Sequence, residues 1–345
     1  FECLEKGADY IHWEEKRKEY TNQTGNIRRG VGMSLFSYKT GVWPISLEIA
    51  GARMTLNQDG SVGLMLGATE IGQGADTVFS QMTAEVLNMD ISDIHIQTVQ
   101  DTDVTPFDTG AYASRQSFVT GTVVKDCANL LKEKILAYAK ELLPEETRKL
   151  RLDHGWIMAG KDPAISLGNL ALESYYSLGN SSVITAEVSE QVKKNTIATG
   201  CFAEVEVDIK LGKIKILHII NVHDSGKLIN PKLAEMQVQG GMSMGMGYGL
   251  SEQLILDEKT GRPLNGTLLD YKLMTMMDTP DIKADFVELD DPIGPFGNKA
   301  LGEPPAIPGA PAIRNAVLHA TGVAFNENPL TPQRLIDGFI RAGLI

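Results

Sequence analysis

One glycine-containing loop could bind an anion, because it comes directly before a predicted helix. It reads GATEIGQGADT (residues 67–77), and Gly72 and Gly74 flank Gln73. Main-chain N–H groups at the start of a helix attract anions, and glycine leaves those groups accessible. Gln73 adds an amide donor and an amide acceptor. Taken alone, the motif is more typical of an ordinary strand-to-helix turn.

A second loop of small and polar residues, DTGAYASRQS (residues 108–117), also precedes a predicted helix. Ala113 lets a ligand approach the main chain, and Ser114, Arg115 and Gln116 could bind phosphate or oxo groups, the arginine through its fork of donors. A capped loop, with Arg115 in a surface ion pair, is the alternative. Two such loops together predict one polyanionic ligand that is held from two sides.

Glu303 lies in the sequence GEPP and could act as a general base. Gly302 permits a close backbone approach, and Pro304 and Pro305 fix the chain directly after the carboxylate. A general base needs a fixed position and a partly dry environment. Most glutamates are simply exposed on the surface, so the frame alone supports this role only weakly.

The composition excludes several function classes. The chain has 345 residues and a net charge of −12, which disfavours binding to nucleic acid. The three cysteines are far apart, so neither a disulfide scaffold nor an iron–sulfur site is expected. No close histidine pair predicts zinc, and no apolar run is long enough for a membrane span.

The elements that must position these residues follow from periodicity and turn signals. Predicted elements are a charged helical region over 1–30, a hairpin at Asp59–Gly60, helices after both loops, a partly exposed insert at 144–200, a hairpin near Leu211–Gly212, a glycine-rich helix in INPKLAEMQVQGGMSMGMGYGL, a helix from about Pro308–Pro311 to Gly322 and a last helix opening at Thr331. His223 and Asp224 are expected to serve a turn by hydrogen bonding.

The order of these motifs resembles the molybdenum-binding subunit of the xanthine dehydrogenase and aldehyde oxidase family. GQG is followed by the SR loop, then by NPKLAEMQVQGG, then by GNKALGEPP. The stretches FAEVEVD, HDSGKLINP, MGMGYGLSEQL and LLDYKLMTMMDTPDI are similar to that family as well. The resemblance therefore runs through nearly the whole chain, and GEPP in this context is its most specific motif.

The resemblance implies an α+β fold of two mixed α/β subdomains, in which mixed sheets pack against helices. Residues 1–200 would form the first subdomain, with both loops and the insert, and residues 201–345 the second, with Glu303. The implied cofactor is molybdopterin, as the cytosine dinucleotide in a bacterial member. It supplies the metal ligands, so no side chain binds molybdenum. The implied cofactor-binding residues are Gly72, Gln73, Gly74, Ala113, Ser114, Arg115, Gln116 and Gln237.

The implied reaction is hydroxylation of a purine, another N-heterocycle or an aldehyde, with water as the oxygen source and Glu303 as the base. Electrons would pass to an iron–sulfur subunit and an FAD subunit in the cytoplasm. Trp43 and Phe107 are candidates for the substrate wall. The family's upstream half is absent from this sequence, which is expected to be a split subunit or a fragment, incomplete alone. An aromatic-CoA-thioester reductase subunit and a cofactor-free structural fragment remain alternatives.

Overall fold

The computed structural model describes residues 1–42, 48–97, 99–146, 148–178, 181–192 and 196–345. Helices alternate with short and long strands along the chain. The helices are α1 (Glu2–Ile11), α2 (Trp13–Glu19), α3 (Ala75–Leu87), α4 (Gln116–Leu142), α5 (Leu167–Tyr176), α6 (Pro231–Leu250), α7 (Gly309–Thr321) and α8 (Pro332–Arg341). The strands are β1 (Ile27–Lys39), β2 (Ile49–Leu56), β3 (Val62–Leu66), β4 (Ile94–Ile96), β5 (Leu150–Asp153), β6 (Trp156–Ala159), β7 (Asp162–Ser166), β8 (Thr185–Gln191), β9 (Thr196–Asp208), β10 (Lys213–Asp224) and β11 (Ile282–Val287).

One mixed sheet has the strand order β1-β9-β10-β11. The alternating segments before and after Leu211–Gly212 form the predicted hairpin of β9 and β10, while β11 runs parallel to β10. Helix α7 packs on β1 so closely that a Cβ at Gly32 would lie 2.1 Å from the main-chain nitrogen of Ala316. The glycines of β1 therefore allow a helix backbone to lie against the strand.

The second mixed sheet has the order β4-β3-β2-β8 and is covered by α3 and α4. The predicted hairpin at Asp59–Gly60 is confirmed, since β2 and β3 pair antiparallel around that turn. A small sheet of β5, β6 and β7 follows α4. Fully buried side chains such as Phe79, Phe118 and Leu131 fill the space between the helices and the sheet. The predicted α+β class with mixed sheets is thus confirmed.

The glycine-rich and proline-rich helices begin and end as predicted. The Asn230 side chain caps α6, and that of Thr331 caps α8, in each case ahead of a proline in the first turn. Gly322 ends α7 in the left-handed conformation, with φ of 74°. Within the described ranges, each helix is too short or too polar to cross a bilayer.

Two expectations about the elements need correction. The helical region ends with α2 at Glu19, and Arg28 and Arg29 lie in strand β1 rather than in a helix. The stretch 144–200 is not simply an exposed insert, because β8 pairs with β2 in the second sheet and α5 contributes Leu167 and Leu170 to its core. In both cases long-range strand pairing outweighs the local polarity of the sequence.

The predicted division at residue 200 remains a prediction, but the cores suggest a different grouping of the N-terminal residues. Strand β1 pairs with β9 along its whole length, and Ile11 and Val31 share a cluster with Phe202 and Val222. Residues 1–39 therefore pack with the part of the chain after residue 200. As a result, the chain crosses between the two sheets more than once.

Candidate functional site

The two loops and GEPP meet at one cavity of about 620 Å³. Seven of the nine predicted site residues line it; Gly74 and Ala113 do not. The lining comprises residues of the first loop and α3 (Ile71, Gly72, Gln73, Ala75, Val78, Phe79), of the second loop (Ala111, Tyr112, Ser114, Arg115, Gln116, Ser117), of the segment before α6 and of α6 itself (Ser225, Lys227, Leu228, Ile229, Asn230, Leu233, Ala234, Met236, Gln237, Gly240, Gly241, Met244), and of the segment before α7 (Asn298, Lys299, Leu301, Gly302, Glu303, Ala306).

The Glu303 carboxylate is exposed toward the cavity but is held by three donors. It accepts hydrogen bonds from the Tyr38 hydroxyl, from the main-chain N–H of Ala113 at 3.3 Å and from Ser114 Oγ at 3.3 Å. The main-chain N–H of Glu303 in turn donates to Ser114 Oγ at 3.0 Å. Ala113 and Ser114 have φ of 47° and 54°, a strained conformation for residues other than glycine, so the loop is shaped around the carboxylate.

The main chain beside Glu303 is fixed from α6. Gln237 Nε2 donates to the carbonyl of Gly302 at 3.2 Å, and a Cβ at Gly245 would lie 2.4 Å from the carbonyl oxygen of Ala306. A Cβ at Gly241 would lie 2.6 Å from Pro305 Cβ. These glycines therefore allow close contact between α6 and the turn that carries the glutamate.

A buried polar network lies beneath the same turn. Asn221 Nδ2 donates to the carbonyl of Pro305 at 3.3 Å, and its Oδ1 accepts from Thr199 Oγ1 at 2.6 Å. Thr199 Oγ1 is also 3.1 Å from Nε2 of His223, whose pKa burial lowers to about 3. The expectation that His223 serves a turn is therefore wrong, because His223 lies in the core beside a sheet. It is neutral at neutral pH.

The first loop already holds an anion of its own. The carboxylate of Glu70 accepts hydrogen bonds from the main-chain N–H groups of Gly72, Gly74 and Asp76 at 2.7, 3.0 and 3.1 Å. Burial opposes ionisation of Glu70, but these hydrogen bonds outweigh it and lower its pKa. The N–H groups at this helix start are thus satisfied internally, which corrects the expectation that they are open to a ligand.

The side chains of Gln73 and Gln116 connect the two loops. Gln73 Nε2 donates to Gln116 Oε1 at 2.5 Å and to the carbonyl of Thr69 at 3.1 Å, and Gln116 Nε2 donates to the same carbonyl at 3.1 Å. Gln73 Oε1 accepts from the N–H of Ile71 at 2.7 Å. One N–H of Gln116 and one lone pair of Gln73 remain available to a ligand in the cavity.

Arg115 is fully buried and holds the second loop together. Its guanidinium donates to Glu48 at 2.7 Å, to Asp108 at 2.5 Å, to the carbonyl of Gly110 at 3.1 Å and to the carbonyl of Ile49 at 2.8 Å. Four of the five donors of an arginine are therefore occupied by protein acceptors. The expectation that its fork binds a phosphate or an oxo group is not supported, because the fork is committed to two carboxylates.

Polar atoms in the cavity wall lack protein partners. Among the described residues, Ser225 Oγ and Asn298 Oδ1 are buried without a hydrogen bond, although both residues line the cavity. Lys227 lines it as an exposed cation that forms no ion pair with any carboxylate in the described ranges. A Cβ at Gly240 would meet no atom within 4 Å apart from its own helix backbone. The wall could therefore offer hydrogen bonds to a ligand at Ser225 and Asn298 and a positive charge at Lys227.

Several residues of the site were missed by the sequence reasoning. Tyr38 reaches Glu303 from β1, and no local motif marks it. Lys227 and Ser225 lie in HDSGKLINP, where no local motif marks either residue as part of a site. Phe107 is 65% exposed and is not part of the cavity wall, while Trp43 lies outside the described residues. Within those residues, no group of three His, Cys, Asp or Glu side chains could hold a metal ion.

The two loops, helix α6 and the GEPP turn thus surround one cavity beside the two mixed sheets. Residues 6–280 match the model of the molybdopterin cofactor-binding domain. The chain belongs to this family, and the resemblance found in the sequence is confirmed.

Individual relatives agree with this. The chain aligns over its whole length with a putative xanthine dehydrogenase molybdenum-binding subunit, XdhA, from Escherichia coli K12, at 51% identity. The alignment covers 46% of the length of that relative. A second alignment, with the aldehyde oxidoreductase molybdenum-binding subunit PaoC of the same organism, has 29% identity. It covers 97% of this chain and 44% of PaoC. The solved structure of quinoline 2-oxidoreductase from Pseudomonas putida 86 has a similar fold, with a TM-score of 0.86 and 24% identity. The superposition covers 98% of this chain and 45% of the chain in that structure. The chain thus spans about half the length of these relatives.

Proposed function

We propose that this chain forms part of the molybdenum-cofactor site of a xanthine-dehydrogenase-type molybdenum hydroxylase, with Glu303 as its general base. The observation that carries the proposal is the meeting of both loops, Gln237 and the Glu303 carboxylate at one cavity with unpartnered polar atoms. A purine, another N-heterocycle or an aldehyde would be hydroxylated, with water as the source of oxygen. The rest of the site would come from the additional length that the relatives possess.

The residues that would contact the cofactor are those of the cavity wall and the turns behind it. Gln73, Gln116 and Gln237 would bind its polar edges through amide groups. Lys227 and Ser225 would meet its negative charge. Further contacts would come from Gly72 and Ser114, which line the cavity, while Gly74, Ala113 and Arg115 would act by holding the loops in shape.

The chemistry divides between the cofactor and this chain. When bound, molybdopterin with molybdenum supplies the two-electron redox chemistry. Glu303 would accept the proton that must leave as the new carbon–oxygen bond forms, and the hydrogen bonds to both carboxylate oxygens would hold the group in place beside the cavity. The closely packed turn between Gly302 and Pro305 limits its movement, as a general base requires.

The finer parts of the assignment are proposals as well. We propose the cytosine dinucleotide form of the cofactor, an iron–sulfur subunit and an FAD subunit as electron acceptors, and a cytoplasmic location. The names of the relatives, which include a probable hypoxanthine oxidase and an aldehyde oxidoreductase subunit, favour hydroxylation over thioester reduction. Subunits that copurify with the complete enzyme, identified by mass spectrometry, and nucleotide analysis of the released cofactor test these points.

The test of the base is Glu303→Gln in the complete, molybdenum-loaded enzyme. The amide keeps the size of the side chain but cannot accept the proton, so kcat should fall by about 10²–10⁴-fold. Molybdenum content per protein, measured by elemental analysis, should equal that of the wild type. Turnover near the wild-type rate, with full molybdenum content, would remove Glu303 from the mechanism.

A further inference from the structure

We propose that Tyr38 is a positioning residue for Glu303, because its hydroxyl holds the carboxylate in place beside the cavity. This inference rests on the proposed function of Glu303. Tyr38 lies near the end of β1, in a sheet that is formed mainly by residues after 200, and its hydroxyl donates to Glu303 Oε2. It does not line the cavity, so it acts on the site only through the glutamate.

The hydroxyl of Tyr38 can donate its hydrogen bond at any pH at which an enzyme works, because it stays protonated. Burial, followed by the hydrogen bond to Glu303 and the negative charge of that carboxylate, raises the pKa of Tyr38 well above its usual range. The phenol therefore keeps its proton throughout the range in which an enzyme works. Its ring packs beside Phe36, with the ring centroids 5.8 Å apart, which limits its motion.

The other charged and titratable groups around the cavity are mostly committed elsewhere. Arg115 is paired with two carboxylates, Lys299 donates to Asp224 at 2.6 Å, and the Tyr112 hydroxyl donates to Thr109 at 3.0 Å. Lys227 is the remaining cation in the described part of the wall. The direct donors to the Glu303 carboxylate are thus Tyr38, the N–H of Ala113 and Ser114 Oγ, and Tyr38 is the one that can be removed without changing the second loop.

The first test is Tyr38→Phe in the complete, molybdenum-loaded enzyme, with kcat and KM measured separately. Loss of the donor leaves the base present but less well directed, so kcat should fall by about tenfold while KM changes by less than about twofold. Molybdenum content should be unchanged.

Tyr20→Phe is the matched control, because Tyr20 donates to Glu204 in the same way, at 2.7 Å, but outside the site. Its kcat and KM should both equal those of the wild type. A wild-type kcat in Tyr38→Phe, or an equal fall of kcat in Tyr20→Phe, would overturn the inference.

A second test needs neither cofactor nor turnover. In the chain labelled with ¹³C at Cζ of its nine tyrosines, the Tyr38 signal is identified by its loss in Tyr38→Phe. It should shift as acid protonates the carboxylate, and this shift should vanish in Glu303→Gln. A Tyr38 signal with the same acid response in Glu303→Gln, or with none in the wild type, contradicts the coupling. If Glu303→Gln keeps full turnover, the proposed function fails instead.

Discussion

Replacement of Arg115 by methionine should be among the most destabilising single substitutions in this chain. Its side chain is 0% exposed, and the partner carboxylates of Asp108 and Glu48 are 0% and 9% exposed. Removal of one member of a buried ion pair costs about 3–5 kcal/mol, because the remaining charge stays buried without a partner. Arg115→Met leaves two such carboxylates, so we expect a loss of at least about 4 kcal/mol, a large fraction of a typical stability of about 5–15 kcal/mol.

The assay is equilibrium unfolding in urea at neutral pH, with the midpoint and slope compared between variants. Arg148→Met is the matched control, because Arg148 also pairs with two carboxylates, those of Glu146 and Asp162, but is 50% exposed. Exposed ion pairs contribute little, so this control should unfold close to the wild type. If Arg115→Met unfolds at the same urea concentration as Arg148→Met, the view of Arg115 as the centre of the second loop is wrong.

Two further predictions concern α6 and the buried network. Gly240→Ala should stabilise helix α6 in the cofactor-free chain by about 0.5–1 kcal/mol. It should also lower the molybdenum content of the complete enzyme, because the added methyl group enters the cavity. Unchanged molybdenum content would contradict this. Burial lowers the pKa of His223 to about 3 from an ordinary 6.5, so the unfolded chain binds a proton that the folded chain does not, and stability should fall as pH drops from 6.5 toward 3. His223→Leu should flatten that part of the stability profile, and an unchanged slope in urea titrations would show that other groups cause it.

The sequence predicted best those features that are local along the chain. The caps of α6 and α8, the turn at Asp59–Gly60 and the rigid frame of Glu303 depend on neighbouring residues, and each is found where it was expected. The two loops by themselves predicted one shared ligand, whereas the meeting of GEPP with them was anticipated because the order of the motifs resembles a known family.

The parts that were missed depend on contacts between distant residues. Tyr38 reaches Glu303 because β1 pairs with the distant strand β9. Tyr38 and Glu303 are 265 positions apart in the sequence, so no local pattern marks their contact. Glu70 takes up the N–H groups of the first loop, and Arg115 turns inward to Asp108, although both sequences also suit a ligand. Whether such donors bind a carboxylate of their own chain or an external ligand depends on the folded geometry, which a sequence motif does not show.

The most direct measurement of the central claim is anomalous diffraction at the molybdenum absorption edge, from crystals of the complete enzyme. The account predicts a molybdenum peak inside the cavity that Gln73, Gln116 and Gln237 line, on the side of the Glu303 carboxylate. A molybdenum peak outside this cavity, or one separated from Glu303 by other parts of the protein, would contradict it.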